Sequence, residues 1–281
     1  MSDIEKQKDR ARAFRALHLA PPILVLANVW DVASARILEE ASFGAVATTS
    51  AGIAFSLGYP DGQKISRQEM LAAVARIAQA VNVPVTADVE AGYGDRPEDA
   101  ADTARGVIEA GAVGMNLEDG ANRPNQLVDF SLQLEKIHAV REAASKLDVP
   151  LVLNARTDVY LEQVGAPESR YDETVRRSLA YRDAGADCVF VPGVRDAETM
   201  SRLVRDLQCP LNILAGPGSP STPELEKLGV ARVSLGSGPM RATLGLVRRM
   251  AEELKTTGTY AAIEGAPSHA DVNRMLGRAK G

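Results

Sequence analysis

The chain has 281 residues, with 32 Lys and Arg against 37 Asp and Glu, a formal net charge of −5. Aromatic residues make up only 4%, too few for a base-stacking platform, and no dense Lys/Arg stripe offers itself to a phosphate backbone, so nucleic acid is excluded as a partner. Two cysteines, Cys188 and Cys209, make neither a disulfide framework nor a four-Cys zinc site, and Cys188 within DCVFV reads as a small buried hydrophobe.

The three histidines, His18, His138 and His269, stand far apart with no HExxH pattern, which argues against a zinc hydrolase. No run of ~18 apolar residues spans a membrane. The opening MSDIEKQKDRARAF is charged from its start and lacks the apolar core of a signal peptide. A cytoplasmic protein with a large core is the expectation.

In chain order, residues 3–18 read as a helix outside the main body, covering its bottom. ILVLAN (23–28) is the first strand and 31–42 the first helix of a repeating pair. The stretch EEASFGAVATT (39–49) then sets a pattern: a polar-faced helix ends in Gly, and a short apolar, β-branched run follows. Glycine accepts the left-handed backbone that closes a helix, and four or five apolar residues suit a strand buried on both faces. The pattern recurs in EAGAVGMNL (109–117), DAGADCVFV (183–191) and EKLGVARVSL (226–235). Between these, VPVTAD (83–88), VPLVLN (149–154) and CPLNIL (209–214) follow helices that end near a proline. The remaining helices are expected over 66–81, 97–110 (Pro97 in its first turn), 131–147, 171–185, 196–207, 222–228 and 239–256.

Eight strand–helix units in ~250 residues predict an α/β fold, a (β/α)8 TIM barrel, over a doubly wound open sheet. One domain is expected over 1–281: an N-terminal helix (1–20), the barrel (21–256) and a C-terminal extension (257–281) that ends in a short helix.

A barrel builds its active site at the C-terminal ends of its strands, and there the polar residues are unusual. Asn28 and Asp31 follow the first strand, and TTSAGIAFSLGYPDG (48–62), a long small-residue loop, follows the second and ends in Asp61. The third strand ends in Asp88 and Glu90, two apart and so on one side of an extended chain. The fourth ends in Glu118 and the fifth in Arg156. Four acids at one mouth, Asp61, Asp88, Glu90 and Glu118, repel by about 4 kcal/mol per close pair at an effective dielectric near 20. A divalent cation removes that cost. Oxygen donors without His or Cys select a hard ion, Mg²⁺ or Mn²⁺, partly through water. Asp95 and Asp119 read instead as helix caps or surface residues. Arg156 needs an acidic or anionic partner, either Glu118 or a substrate. Ser50, Ala51 and Gly52 offer a hydroxyl and close N–H groups suited to a carboxylate or oxyanion. Gly92 and Gly94 read as a mobile loop beside the metal, and SLGSGP (234–239) as a further phosphate-type loop.

The stretches NVWDVASARILEEASFGAVATTSAG, SLGYPDG, ADVEAGYG, GMNLEDG and LNARTD, in this order, resemble the isocitrate lyase / phosphoenolpyruvate mutase superfamily over nearly the whole chain. The resemblance implies a Mg²⁺-dependent barrel that makes or breaks C–C or P–C bonds through the enolate of a 2-oxo acid. It implies Asp88 as the metal-facing acid, with Asp61, Glu90 and Glu118 on the metal or its waters. Ser50, Ala51 and Gly52 would hold the substrate, and Arg156 would stabilise the enolate. It also implies a C-terminal helix exchanged between subunits of a homodimer or homotetramer.

The chain departs from the family in three places. Glu90 stands where members often have Asp. The Cys-bearing loop of the lyases is replaced by GANRPNQLVD (120–129), without Cys, Lys or His. The mutases' gate is matched only in part by Asn122, a candidate substrate contact, and Arg123, and Pro192 sits near the place of their His. Decarboxylation needs no Cys acid to begin. The expected function is therefore a Mg²⁺-dependent lyase or decarboxylase of a small 2-oxo acid. The alternatives are a P–C bond enzyme (a phosphonomutase or phosphonopyruvate hydrolase) and a 2-oxo-acid-binding protein with little turnover.

Overall fold

The computed structural model describes residues 3–19, 21–120 and 125–277. All strand pairings are parallel. The first barrel strand is broken at Ala27 into β1 (Leu24–Leu26) and β2 (Asn28–Val29). Then follow β3 (Val46–Thr48), β4 (Val85–Asp88), β5 (Gly114–Glu118), β6 (Val152–Arg156), β7 (Cys188–Val191), β8 (Leu211–Leu214) and β9 (Arg232–Ser234). Neighbours in sequence are neighbours in the sheet, and β1 pairs with β9 while β2 pairs with β3. The chain is the expected (β/α)8 barrel.

The helices are α1 (Asp3–Ala16), α2 (Val32–Glu40), α3 (Ser50–Ser56), α4 (Arg67–Ala80), α5 (Pro97–Glu109), α6 (Phe130–Lys146), α7 (Arg170–Asp183), α8 (Ala197–Leu207), α9 (Thr222–Lys227), α10 (Gly238–Thr256) and α11 (His269–Leu276). Their ends have local causes. Ser66 and Glu69 form a reciprocal capping box before α4, and Asp196 accepts the Thr199 amide at 2.8 Å before α8. Gly111 and Gly185, at φ +89° and +109°, end the turns after α5 and α7. Outside the sheet, Val74 and Ile77 of α4, Val107 of α5 and Ile137 and Val140 of α6 pack with Val85, Met115 and Leu117. Met200, Leu203 and Leu207 of α8 cover Val189, Val191, Leu211 and Ile213.

One expectation is corrected. The segment read as a loop over 48–62 contains α3. Ser and Gly are poor helix formers, but Thr49 Oγ1 accepts the Gly52 amide at 3.2 Å, and Ile53 and Ala54 are buried. Burial and a cap outweigh intrinsic preference here.

Helix α1 lies across the N-terminal ends of the strands. Gln7 donates to the Ile108 and Ala112 carbonyls at 2.7 and 2.9 Å, and Arg15 pairs with Asp187 at 2.9 Å. Phe14 is fully buried against Gly114, where a Cβ would come within 2.8 Å of its ring. At the other end of the chain, α10 buries only Met240, while Leu244, Leu246, Val247 and Leu254 are exposed. Among the described residues, no helix is long and apolar enough to cross a membrane.

Side chains two apart on each strand fill the lumen. Below Asp88 they are polar. Asn154 Nδ2 donates to Asn116 Oδ1 at 2.7 Å, Asn116 Nδ2 to Asp88 Oδ1 at 3.4 Å, and Arg232 Nη2 to Asn116 Oδ1 at 3.4 Å. Arg232 is 1% exposed, and burial lowers its guanidinium to about 10. Its Nη1 faces His18 Nε2 at 3.5 Å.

Candidate active site at the barrel mouth

Parallel register brings the ends of β4, β5 and β6 together. Asp88 pairs with Asn116 and Glu118 with Arg156. Asp88 is 9% exposed; its Oδ2 accepts the Ser50 amide at 2.9 Å and the Ser50 hydroxyl at 2.8 Å. The donors of Ser50 are thus spent on a carboxylate of this chain. Ala51 and Gly52 follow inside α3, both buried, and the Gly52 amide is taken by Thr49.

Arg156 is held from two sides. Its Nη1 lies 2.7 Å from Glu118 Oε2, while Nε and Nη2 donate to the two oxygens of Asp158 at 2.6 and 3.0 Å. Its guanidinium also lies over the Phe190 ring, 5.7 Å from the centroid. Burial pushes the Glu118 carboxyl up, and the charge of Arg156 pulls it back.

Glu90 is 2% exposed and adopts φ +51°. Its Oε2 accepts the Gln63 amide at 2.5 Å and its Oε1 the Tyr93 hydroxyl at 3.2 Å. Burial first, then the charges of Asp88 and Asp61, raise its carboxyl to about 7. Asp61 stands on the rim. Partial desolvation at the mouth and the charge of Asp88 also raise its carboxyl.

Among the described residues, the mouth therefore gathers Asp61, Asp88, Glu90, Glu118 and Asp158 around the guanidinium of Arg156. That excess of negative charge, carried on oxygen alone, fits a hard divalent cation. Among the described residues, no three His, Cys, Asp or Glu side chains meet as a direct ligand set. An ion here would keep several waters, as Mg²⁺ does.

Sequence reasoning passed over Asp158 and misplaced Asp119. Asp119, expected at the surface or as a cap, is 0% exposed. It accepts the Asp158 amide at 2.8 Å, the Thr157 hydroxyl at 2.9 Å, the Tyr181 hydroxyl at 2.7 Å and Arg177 Nη1 at 3.1 Å. The acid next to Glu118 thus anchors the residue that holds Arg156. An Asp in a run of strand-end acids signals this only once α7 is seen to bring Arg177 and Tyr181 beside it. The segment around Gly92 and Gly94, read as a mobile loop, is tied down. Lys136 Nζ donates to the Gly94 and Ala91 carbonyls at 2.8 and 3.2 Å, and Thr103 Oγ1 to the Gly92 carbonyl at 2.7 Å.

Asn28 spends its side chain on backbone, donating to the Thr48 carbonyl at 2.8 Å and accepting the Leu235 and Gly236 amides, each at 2.8 Å. Asp31 is the N-cap of α2, away from the acids. Asn122 and Arg123 lie outside the described residues.

Residues 14–255 match the family model described as phosphoenolpyruvate phosphomutase. The chain is 38% identical over 232 residues to an uncharacterised protein of Mycobacterium tuberculosis, covering 83% of this chain and 84% of that one. It is 31% identical over 241 residues to an oxaloacetate decarboxylase of Ectopseudomonas mendocina, covering 80% and 77%. A crystal structure from Burkholderia cenocepacia, provisionally described as a lyase/mutase, superposes with a TM-score of 0.91 at 40% identity and covers 98% of both chains. With its barrel and its ordered strand-end acids, the chain belongs to the phosphoenolpyruvate phosphomutase family of enzymes, within the isocitrate lyase / phosphoenolpyruvate mutase superfamily.

Proposed function

We propose that the chain is a Mg²⁺-dependent lyase, specifically a decarboxylase of a small 2-oxo dicarboxylate, working through an enolate. One observation carries this reading. Asp88 and Arg156 stand together at a buried, acid-rich mouth, while the sequence 120–129, which follows the β5 acid Glu118, contains no Cys, Lys or His to act as a proton donor. A reaction that begins without such a donor suits this chain.

Asp88, with Asp61 and Glu118, would hold the ion and its waters, and Glu90 adds charge. The bound ion would neutralise these acids and draw electron density from the 2-oxo oxygen. Of the five N–H bonds of Arg156, three are committed to Glu118 and Asp158. The other two are available to the substrate's carboxylate or to the enolate oxygen. As the bond from C3 to the departing carboxylate breaks, its electron pair moves onto the 2-oxo oxygen and carbon dioxide leaves. Arg156, fixed before substrate arrives, stabilises that charge without reorganising. A proton from solvent at C3 then completes the 2-oxo monocarboxylate.

The exposed stripe of α10 supports a second part of the proposal, that this helix packs against another copy in a homodimer or homotetramer.

The test is a panel of oxaloacetate, 2-methylisocitrate, isocitrate and phosphonopyruvate with Mg²⁺, following pyruvate, glyoxylate and phosphate. Pyruvate from oxaloacetate alone is expected. Pyruvate and phosphate from phosphonopyruvate would replace this reading with P–C bond chemistry. Silence across the panel, with Mg²⁺ and a 2-oxo acid still raising Tm, would favour a binding protein.

A further inference from the structure

Three non-glycine residues around the mouth, Gln63, Glu90 and Tyr93, adopt left-handed backbone, at φ +56°, +51° and +58°. Such a conformation is costly for a side chain with a Cβ and persists only where the surroundings enforce it. Here the three enforce one another. The Gln63 amide donates to Glu90 Oε2 at 2.5 Å, the Tyr93 amide to Gln63 Oε1 at 2.6 Å, and the Tyr93 hydroxyl to Glu90 Oε1 at 3.2 Å. The ring of bonds joins two segments far apart in sequence. One is 57–66, between α3 and α4, which carries Asp61. The other follows β4 and is itself fixed by Lys136 and Thr103.

Among the described residues, this strap has few other ties between Leu57 and Ser66. Tyr59 donates its amide to the Ala54 carbonyl at 2.9 Å, and Ile65 is buried. Among the described residues, Asp61 accepts only its neighbour's amide, from Gly62 at 3.0 Å. The position of Asp61 over Asp88 therefore depends on Gln63.

We infer that Glu90, through its length, is the latch that holds the strap 57–66 over the mouth, with Gln63 and Tyr93 as positioning residues for Asp61. Both carboxylate oxygens are engaged by the strap and by Tyr93. A side chain one methylene shorter cannot keep both bonds from the same backbone position. The inference deepens the reading of the Asp88 site, but its test reads no turnover, so the two can fail separately.

The experiment is hydrogen exchange by mass spectrometry on the full chain, following the peptide 57–66 with the barrel strands as control. Glu90→Asp keeps the charge and loses the reach. Glu90→Gln keeps the reach and a carbonyl acceptor for Gln63, and loses the charge. Exchange in 57–66 is expected to quicken by about ten-fold in Glu90→Asp and to stay near the wild-type rate in Glu90→Gln. Gln63→Ala, which keeps a Cβ at φ +56° but removes the acceptor for Tyr93, should behave like Glu90→Asp. Unchanged exchange in Glu90→Asp and Gln63→Ala would overturn the inference. So would equal quickening in Glu90→Gln and Glu90→Asp, because charge and not length would then hold the strap.

Discussion

Arg156 and Asp158, two residues apart at the end of one strand, form a two-pronged ion pair, with Nε and Nη2 each donating to a separate carboxylate oxygen at 2.6 and 3.0 Å. The backbone amide of Asp158 is held in turn by Asp119. The guanidinium is thus aimed by a carboxylate that is itself anchored. Asp158→Asn leaves one prong and removes a charge. A charge-assisted bond of about 2 kcal/mol corresponds to roughly a 30-fold loss in kcat/KM. Steady-state kinetics on the substrate found active in the panel measure this, and a loss confined to KM would mean that Arg156 serves binding alone.

Asp88→Asn should remove the response to Mg²⁺. For an ion present at about 100 times its Kd, stabilisation of the wild type is ~2.7 kcal/mol, or a Tm rise of roughly 5 °C at this size. Scanning fluorimetry with Mg²⁺ and with chelator is expected to show that rise in the wild type and none in Asp88→Asn. An equal rise in both would place the ion elsewhere.

Asp119 meets Thr157, Asp158, Arg177 and Tyr181 with no exposure to water. Asp119→Ala leaves Arg177 with only the half-buried Glu173, 2.7 Å from its Nε, and strips the Tyr181 and Thr157 hydroxyls of their shared acceptor, at a cost of about 3–5 kcal/mol. Tyr181→Phe removes one neutral donor and should cost about 1 kcal/mol. Urea unfolding of the two variants gives the comparison, and similar values would mean that the ion pair contributes little.

His18 supplies a pH dependence away from the acids. Its Nδ1 faces the Phe14 carbonyl at 2.9 Å, so Nδ1 carries the proton and Nε2 faces Arg232 as an acceptor. Burial, reinforced by the Arg232 charge, lowers the ring from 6.5 to about 4. Between these values the unfolded chain takes up a proton that the folded chain refuses. The contribution is complete above pH 6.5 and is lost as pH falls toward 4, amounting to about 3 kcal/mol at most. The difference in unfolding free energy between pH 7 and pH 4.5 should be smaller in His18→Gln than in the wild type by up to that amount.

The α10 stripe yields an assembly prediction. Val247→Glu with Leu254→Glu, both exposed in the single chain, should convert the proposed oligomer to a monomer in sedimentation or light scattering. A wild-type protein already monomeric would remove the reading.

Much of the fold was legible because a barrel repeats one signal eight times. Each apolar run between a helix-closing Gly or Pro and a polar loop became a strand, its ends shifted by at most about three residues, as where the run 149–154 became Val152–Arg156. α3 was hidden because its sequence, SAGIAFS, owes its helix to burial and to Thr49. At the mouth, strand periodicity was enough to bring Asp88, Glu118 and Arg156 together. It could not show that Ser50 faces Asp88, because that contact crosses from the helix after β3 to the end of β4. The burial of Asp119 needed the positions of Arg177 and Tyr181 on α7, and the bonding of Glu90 needed a turn at Gln63. Alternation along a strand carries no information about either.

The pairing of Leu24–Leu26 with Arg232–Ser234 has a consequence for the making of the protein. Until Ser234 has been synthesised, the growing sheet carries two unpaired margins of N–H and C=O groups. Such margins invite pairing with other nascent chains. The seam between first and last strands is therefore the step that turns an adhesive ribbon into a closed surface. Substitutions along it should reveal themselves first as a lower yield of recoverable protein, before any change in the catalysis of the molecules that do close.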